Sequence, residues 1–280
     1  MRSILSRKIG IDLGTSTVRI YVKGEGVVVN EPARGRAMWH LPQLIGKAHA
    51  RPRLFRPDVV VSVPSAVTSD ERCAVTEAAI AAGARQVWLI DEPLAAAMGA
   101  GLPIGGPRAC AICEIGAATT EIAVFLMSGT VVEHSIPVGG NSFDQAIAGS
   151  LGVDPATAES VKIAAGSAVT MGEPLLTVVD GVEFSSNQVA DAIAGPLRAI
   201  ADAVRDVLEQ TPPQVAADVH ERGLVLSGGG AQLRGLDRYL AERTGLPVAV
   251  ADEPQTSVVR GTGLALETFE VLKRNLTYAR

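Results

Sequence analysis

Ile9-Gly10-Ile11-Asp12-Leu13-Gly14-Thr15-Ser16-Thr17-Val18-Arg19-Ile20-Tyr21-Val22 reads as an apolar strand, a turn at glycine and a second strand. A carboxylate, Asp12, stands two residues before the turn glycine. Gly24 to Gly26 then makes a tight turn into a third strand, Val27 to Asn30. From Ala109 the pattern returns. Cys113-Glu114-Ile115-Gly116-Ala117-Ala118-Thr119-Thr120-Glu121-Ile122-Ala123-Val124 sets Glu114 on Asp12, Gly116 on Gly14 and Thr119 on Thr17. A turn at Ser128-Gly129 and a third strand, Val131 to Ile136, follow as before. The chain therefore carries two related units of strand, turn, strand, turn and strand.

Outside these units, the stretch from Pro32 to about Pro57 shows little periodicity. Val59 to Val63 reads as a buried strand, and Ser69 as the cap of an Ala-rich helix that stops near Gly83. A strand at Val87 to Ile90 and a helix from Pro93 to Ala100 complete the first half. In the second half, Phe143 to Leu151 and Ala156 to Ala165 read as helices. Ser185 or Ser186 caps a long helix to Gln210 that is broken or bent by Pro196. Leu224 to Leu226 is a strand running into Ser227-Gly228-Gly229-Gly230, with a helix from Leu233 to Arg243 after it. A strand at Val248 to Ala251 and a helix from Val258 to Val271 close the chain. This alternation predicts an α/β protein with a largely parallel sheet in each half.

The 280 residues are enough for a large core or two domains; 47% are apolar and 20% charged, a soluble globular composition. A net charge of -5 excludes a nucleic-acid binder driven by bulk electrostatics. No apolar run is long enough to span a bilayer, and Met1 to Lys8 leads into no signal-peptide pattern, so a cytoplasmic location is expected. Cys110 and Cys113 are three apart on a strand and point to opposite faces, which favours buried thiols over a shared metal.

The three glycine turns carry the chemistry. Glycine admits positive φ and lets backbone amides approach an anion. Hydroxyls at Thr15, Ser16, Thr17, Thr119 and Thr120 could add donors to phosphate oxygens. Two such turns, each preceded by a carboxylate, suit a polyphosphate and a Mg²⁺ held through water by Asp12 and Glu114. The third, read as a helix start, suits the α-phosphate and nucleoside.

On these residues the sequence resembles MreB, the bacterial actin, within the actin, heat-shock chaperone and sugar-kinase superfamily. The resemblance also takes in Asn30-Glu31-Pro32, Asp91-Glu92-Pro93, Gly139-Gly140, Thr211-Pro212-Pro213, Glu221-Arg222-Gly223 and Glu253-Pro254. It covers nearly the whole chain apart from about Ala33 to Leu54. It implies an actin-like ATPase fold of two ribonuclease-H-like domains around a nucleotide cleft. Domain I would be residues 1–105, with a reduced small subdomain IB at about 33–56, completed by 257–280. Domain II would be 106–256, with a compact small subdomain IIB at about 145–186. It further implies ATP or ADP with Mg²⁺, and filaments on the inner membrane that guide cell-wall synthesis. By carry-over, Asp12, Gly14, Thr15, Ser16 and Thr17 form the first phosphate loop, and Glu114, Gly116 and Thr119 the second. Ser227, Gly228, Gly229 and Gly230 would support the nucleoside and α-phosphate, Glu159 and Lys162 would reach the ribose or base, and Glu92 would orient the attacking water.

Two departures from the family pattern shape the expectation. The family's second loop usually reads Asp-Ile-Gly-Gly-Gly-Thr; here Glu114, Ala117 and Ala118 replace its aspartate and two glycines. Alanine should strain a backbone built for positive φ and add methyls where phosphate approaches. Weakened Mg²⁺ handling and slow or absent hydrolysis are expected. Between Pro32 and Pro57 there is only a short link in place of subdomain IB, which argues against the family's usual double filament. Arg51-Pro52-Arg53-Leu54-Phe55-Arg56-Pro57 places an apolar pair among arginines. In the family the matching loop can carry a membrane-inserting Leu-Phe pair, so Leu54 and Phe55 are expected to meet the inner-membrane surface, unless Phe55 packs under a neighbouring helix. The resulting reading is a membrane-associated scaffold in cell shape and cell-wall synthesis. The alternative is a non-polymerising nucleotide-binding adaptor that recruits cell-wall or division proteins.

Overall fold

The structure is a computed structural model, and it describes residues 7–33, 41–48, 56–267 and 277–278. Leu54 and Phe55, the expected lipid-facing pair, lie outside the described residues. The chain begins with β1 (Lys8–Leu13), β2 (Thr17–Val22), β3 (Gly26–Pro32), α1 (Leu41–Ala48), β4 (Asp58–Val63), α2 (Ser69–Ala81), β5 (Gln86–Asp91) and α3 (Glu92–Gly99). It continues with β6 (Cys110–Ile115), β7 (Thr120–Leu126), β8 (Gly129–Ile136), α4 (Gly140–Leu151), α5 (Pro155–Ala165), β9 (Leu176–Val179), β10 (Val182–Ser185) and α6 (Ser186–Ala192). The remainder is α7 (Ala194–Gln210), α8 (Pro213–Arg222), β11 (Leu224–Ser227), α9 (Leu236–Thr244), β12 (Val248–Val250), α10 (Ser257–Glu267) and β13 (Thr277–Tyr278). The chain clusters into two compact units: Met1–Pro107 with Phe125–Thr130 and Gln255–Arg280, and Arg108–Val124 with Val131–Pro254.

In the first unit a six-stranded sheet runs β13-β5-β4-β1-β2-β3. Only β5, β4 and β1 are mutually parallel; β2, β3 and β13 pair antiparallel. The expected largely parallel sheet is thus a mixed one, because the short turns joining β1, β2 and β3 permit only antiparallel neighbours. All six residues of β4 are buried, as befits a central strand covered on both faces. Helix α10 lies directly on β1, and its backbone touches that of α3. A Cβ on Gly99 would fall 1.8 Å from the Ser257 carbonyl oxygen, and one on Gly261 would fall 1.8 Å from that of Ala95.

Two local readings are corrected here. Thr68, not Ser69, caps α2: its Oγ1 accepts from the Glu71 amide at 3.3 Å, and the Glu71 carboxylate accepts from the Thr68 amide at 2.8 Å. This is the reciprocal capping box, whose Thr-x-x-Glu spacing Ser69 lacks. The stretch after Pro32 is also more than a link. Helix α1 buries Leu41, Leu44, Ile45 and Ala48, a stripe at helical spacing, in a core shared with Ile20, Val22 and Val29.

In the second unit a five-stranded sheet runs β12-β11-β6-β7-β8, with β12, β11 and β6 parallel. Strands β9 and β10 form a separate hairpin. The long helix breaks at Ile193 into α6 and α7, three residues before Pro196, which has no amide to donate to the preceding turn. The turn between β7 and β8 puts positive φ on Met127 (51°) and Ser128 (63°), one residue earlier than expected. Cys110 and Cys113 are buried thiols, and burial pushes Cys110 up to about 11 and Cys113 well above the usual range. No helix among the described residues is long and apolar enough to cross a membrane.

Candidate functional site

In the first unit, the end of β1 carries a polar row across the sheet. Arg19 on β2 stands opposite Asp12, and Ser62 on β4 stands beside Asp12 on its other side. Asp12 is only 5% exposed; the Ser62 hydroxyl donates to its Oδ1 at 3.5 Å, and Arg19 Nη1 lies 3.6 Å from its Oδ2. Burial raises the Asp12 carboxyl to about 6, against the opposing pull of Arg19, Ser62 and the Gly14 amide. Thr15 and Ser16, beyond the strand end, are exposed. The loop folds back on itself, so a Cβ on Gly14 would sit 2.7 Å from the Thr17 carbonyl oxygen. Gly14 is needed for close approach, not for positive φ.

The second loop repeats this turn in the second unit. The Gly116 amide donates to the Thr119 carbonyl at 2.9 Å, and Glu114, 6% exposed, ends β6 as Asp12 ends β1. Neither Ala117 nor Ala118 has positive φ. The expected backbone strain at these alanines is therefore absent, and only their methyl groups distinguish the loop from a glycine one. The carbonyls of Gly116 and Ala117 accept from the Gly140 and Asn141 amides at 2.9 and 2.8 Å, which seats the loop on the start of α4. The Thr120 hydroxyl is fully buried and donates to the Val138 carbonyl at 2.7 Å, so it cannot serve as a phosphate donor.

The third turn abuts the second. Ser227 pairs in register with Glu114, and its buried Oγ has no hydrogen-bond partner. Gly228, at φ +84°, would place a Cβ 2.3 Å from the Ile115 carbonyl oxygen, and a Cβ on Gly230 would fall 2.2 Å from Ile115 Cγ2. Gly229 alone is exposed with open space around it. The expected helix start is corrected: Gly230–Gln232 forms a short 3-10 turn, and α9 begins only at Leu236. The helix-dipole argument for this turn therefore falls away.

Lys162 and Glu159 lie on α5. Lys162 Nζ donates to Asp144 Oδ2 at 2.8 Å and to the Gly140 carbonyl at 3.3 Å, while Glu159 is exposed. Burial raises the Asp144 carboxyl and the Glu159 charge adds to that, while Lys162 opposes both. Glu92 is half-buried as the first residue of α3, before Pro93. Asp91, just ahead of it, makes no cap and is paired with Arg72 Nη2 at 2.6 Å.

Residues 36–274 match the model of the MreB/Mbl protein family. The chain belongs to the MreB/Mbl family. It is 38% identical to the cell shape-determining protein MreB of Escherichia coli K12, over 96% of each chain. That alignment runs over 334 positions, more than the 280 residues present here, so this MreB/Mbl chain is a shortened one. The actin-like fold is matched by MreB5 of Spiroplasma citri bound to ADP, with TM-score 0.86, 29% identity, and coverage of 96% of this chain and 99% of that one. The same protein bound to AMPPNP matches with TM-score 0.86 and 28% identity, over 96% and 98%.

For an MreB/Mbl protein, the donors present suit a hard cation and its phosphates. Each loop supplies a nearly buried carboxylate, Asp12 or Glu114, and oxygen ligands of this kind fit Mg²⁺ held through water. The orphaned Ser227 hydroxyl is one donor that no protein group satisfies. Sequence reasoning missed Arg19 and Ser62, which the register alone brings to Asp12. It also missed the buttress at Gly139-Gly140-Asn141. A Cβ on Gly139 would lie 2.7 Å from the Gly116 carbonyl oxygen, and the glycine pair was its one visible signal.

Proposed function

We propose that this MreB/Mbl chain holds ATP or ADP with its three turns and works as a scaffold in cell shape and cell-wall synthesis. The observation that carries the reading is the repeated loop. Gly14 and Gly116 each sit against the carbonyl of the residue three further on, just after a nearly buried carboxylate. MreB5 of Spiroplasma citri, of the same fold, holds ADP or AMPPNP. In this reading Gly14, Thr15, Ser16 and Thr17 take phosphates from one loop, and Gly116 and Thr119 from the other. Ser227 to Gly230 face the nucleoside end, with Glu159 and Lys162 at the ribose or base. Asp12 and Glu114 hold Mg²⁺ through water, and the ion, when bound, offsets phosphate charge. Glu92 orients the attacking water, and the methyls of Ala117 and Ala118 keep hydrolysis slow.

Titration of ATP and ADP with and without Mg²⁺ tests the reading, and micromolar or tighter binding that disappears in Asp12→Ala is the expected result. Equal binding by Asp12→Ala would sink it. The shortened chain favours a second arrangement, an adaptor that recruits cell-wall or division proteins without polymerising. Sedimentation and electron microscopy with ATP separate the two: pelleting filaments support the scaffold, a monomer the adaptor. Membrane contact at Leu54 and Phe55 is part of the proposal. Changing both to Ser should abolish co-sedimentation with anionic liposomes.

A further inference from the structure

We infer that Arg72 and Asp91 are a positioning pair for Glu92: their ion pair fixes the turn from β5 into α3 and so sets the Glu92 carboxylate for the attacking water. The inference rests on the nucleotide reading above and adds to it the two residues that hold Glu92 in place.

Three parallel strands, β1, β4 and β5, lie side by side in the first unit. Asp12 stands beside Ser62, and Val63, the next residue of β4, stands beside Asp91. The carboxyl ends of parallel strands are where an α/β sheet takes its ligands. Glu92 follows at once, as the first residue of α3. The backbone at Asp91 therefore decides where Glu92 stands.

Asp91 occupies the N-cap of α3 in extended conformation (φ -68°, ψ 139°), with no side-chain cap bond. Aspartate is among the best caps for a helix start. Here its carboxylate leaves the α3 amides alone and accepts from Arg72 Nη2 at 2.6 Å. Arg72 reaches it from a fixed base, the first turn of α2, directly after the Glu71 that closes the Thr68 capping box. The Arg72 amide donates to the Thr68 carbonyl at 3.0 Å, and its carbonyl accepts from the Thr76 hydroxyl at 3.0 Å. The pair thus ties the start of α2 to the start of α3 at the strand ends.

Burial separates positioning from stability. The two side chains are 23% and 33% exposed, so solvent screens the pair and its loss should cost the fold little. Positioning is far steeper, since a displacement of about 1 Å can cost about 100-fold in rate. In hydrolysis, water adds to the γ-phosphorus as the bond to the β,γ-bridging oxygen breaks. The electron pair leaves on ADP, and the water proton passes to the released phosphate or to solvent. Such a step asks for an aimed carboxylate more than for a strong base.

The test measures single-turnover phosphate release from ATP with Mg²⁺, protein in excess and followed for hours, together with AMPPNP affinity and thermal melts. It uses the full chain and its Arg72→Met, Arg72→Lys and Asp91→Asn variants, with Arg72→Met and Asp91→Asn also combined. Arg72→Met and Asp91→Asn should each slow release about 10- to 100-fold, with AMPPNP affinity changed less than about 3-fold. The combined variant should be no slower than the slower single one, because both changes remove the same bond. Arg72→Lys should recover most of the rate, whereas a merely structural role would move melting and affinity together with the rate. If Arg72→Met fails to fold, Asp91→Asn, of the same shape and still able to cap α3, gives the comparison. Rates equal to wild type in every variant overturn the pair's role, as does a loss of affinity or melting temperature in step with the rate. Wild type that binds AMPPNP but releases no phosphate overturns it too and leaves the nucleotide reading intact. Wild type that binds no nucleotide overturns both.

Discussion

Ser227 stands directly opposite Glu114 across the parallel pair β11 and β6, and so joins the glycine turn to the second loop in one layer of the sheet. The turn continues from this point against Ile115. Its glycines therefore differ in what they do, although they are consecutive.

Gly228→Ala should destabilise by about 2–4 kcal/mol, from a methyl driven into the Ile115 carbonyl and a positive φ that alanine resists. Gly229→Ala meets nothing within 4 Å and should alter stability by no more than about 0.5 kcal/mol. Urea unfolding of both variants gives the comparison. If Gly229 faces a nucleotide, its alanine variant should weaken ATP binding while the unfolding midpoint stays put.

Asp12 is costly to the fold, and the cost depends on pH. Between its ordinary value of 3.8 and about 6, the native carboxyl holds a proton that the unfolded chain has released. Stability from this group therefore falls as pH rises through that window and stays low above it. Asp12→Asn, which removes the charge, should stabilise the nucleotide-free protein by about 1–3 kcal/mol at pH 7.5, with the gain shrinking towards pH 4. Denaturant titrations at the two pH values check the sign; a loss at pH 7.5 would mean that Arg19 outweighs burial.

Lys162 and Asp144 make the opposite case, a partly buried pair whose cation keeps a raised carboxyl ionised. Lys162→Met should cost about 1–3 kcal/mol by leaving Asp144 without its partner. The loss should be larger at pH 7 than at pH 3, which lies below the ordinary carboxylate value of 3.8, so that the raised native carboxyl and the unfolded one are both mainly protonated. Thermal melts at the two pH values measure it. If Lys162 also reaches the nucleotide, ATP affinity should drop in the same variant.

The repeated loop was legible because its signal is local: a carboxylate, a glycine and a threonine at fixed spacing at the end of an apolar strand. Arg19 and Ser62 were not, since pairing register decides which residues flank Asp12 and no spacing along the chain encodes it. Helix α1 was hidden by its eight-residue length and by Pro42 and Gly46 within it, which mask the stripe of Leu41, Leu44, Ile45 and Ala48. The cap at Thr68 was in plain view, because Glu71 three residues on completes the box and nothing completes it for Ser69. The helix start expected after Ser227 failed for a different reason. Gly235, in left-handed conformation (φ 70°), resets the chain before α9, and its role depends on the packing of Val169 against it.

Restoring the family's second loop is the most direct test of why this chain departs from it. Since Ala117 and Ala118 have ordinary φ, Ala117→Gly and Ala118→Gly relieve no strain and instead loosen the unfolded chain, at about 0.5–1 kcal/mol each. Glu114→Asp shortens a carboxylate that is 6% exposed and adds a small void. The triple variant should therefore be less stable than the parent. If the methyls and the longer carboxylate are what hold back γ-phosphate and Mg²⁺, the same variant should release phosphate from ATP at least about 10-fold faster, a barrier change of about 1.4 kcal/mol. Loss of stability with no gain in phosphate release would show that the loop limits nothing, and that slow turnover, if measured in the parent, is set by Glu92 or by the first loop.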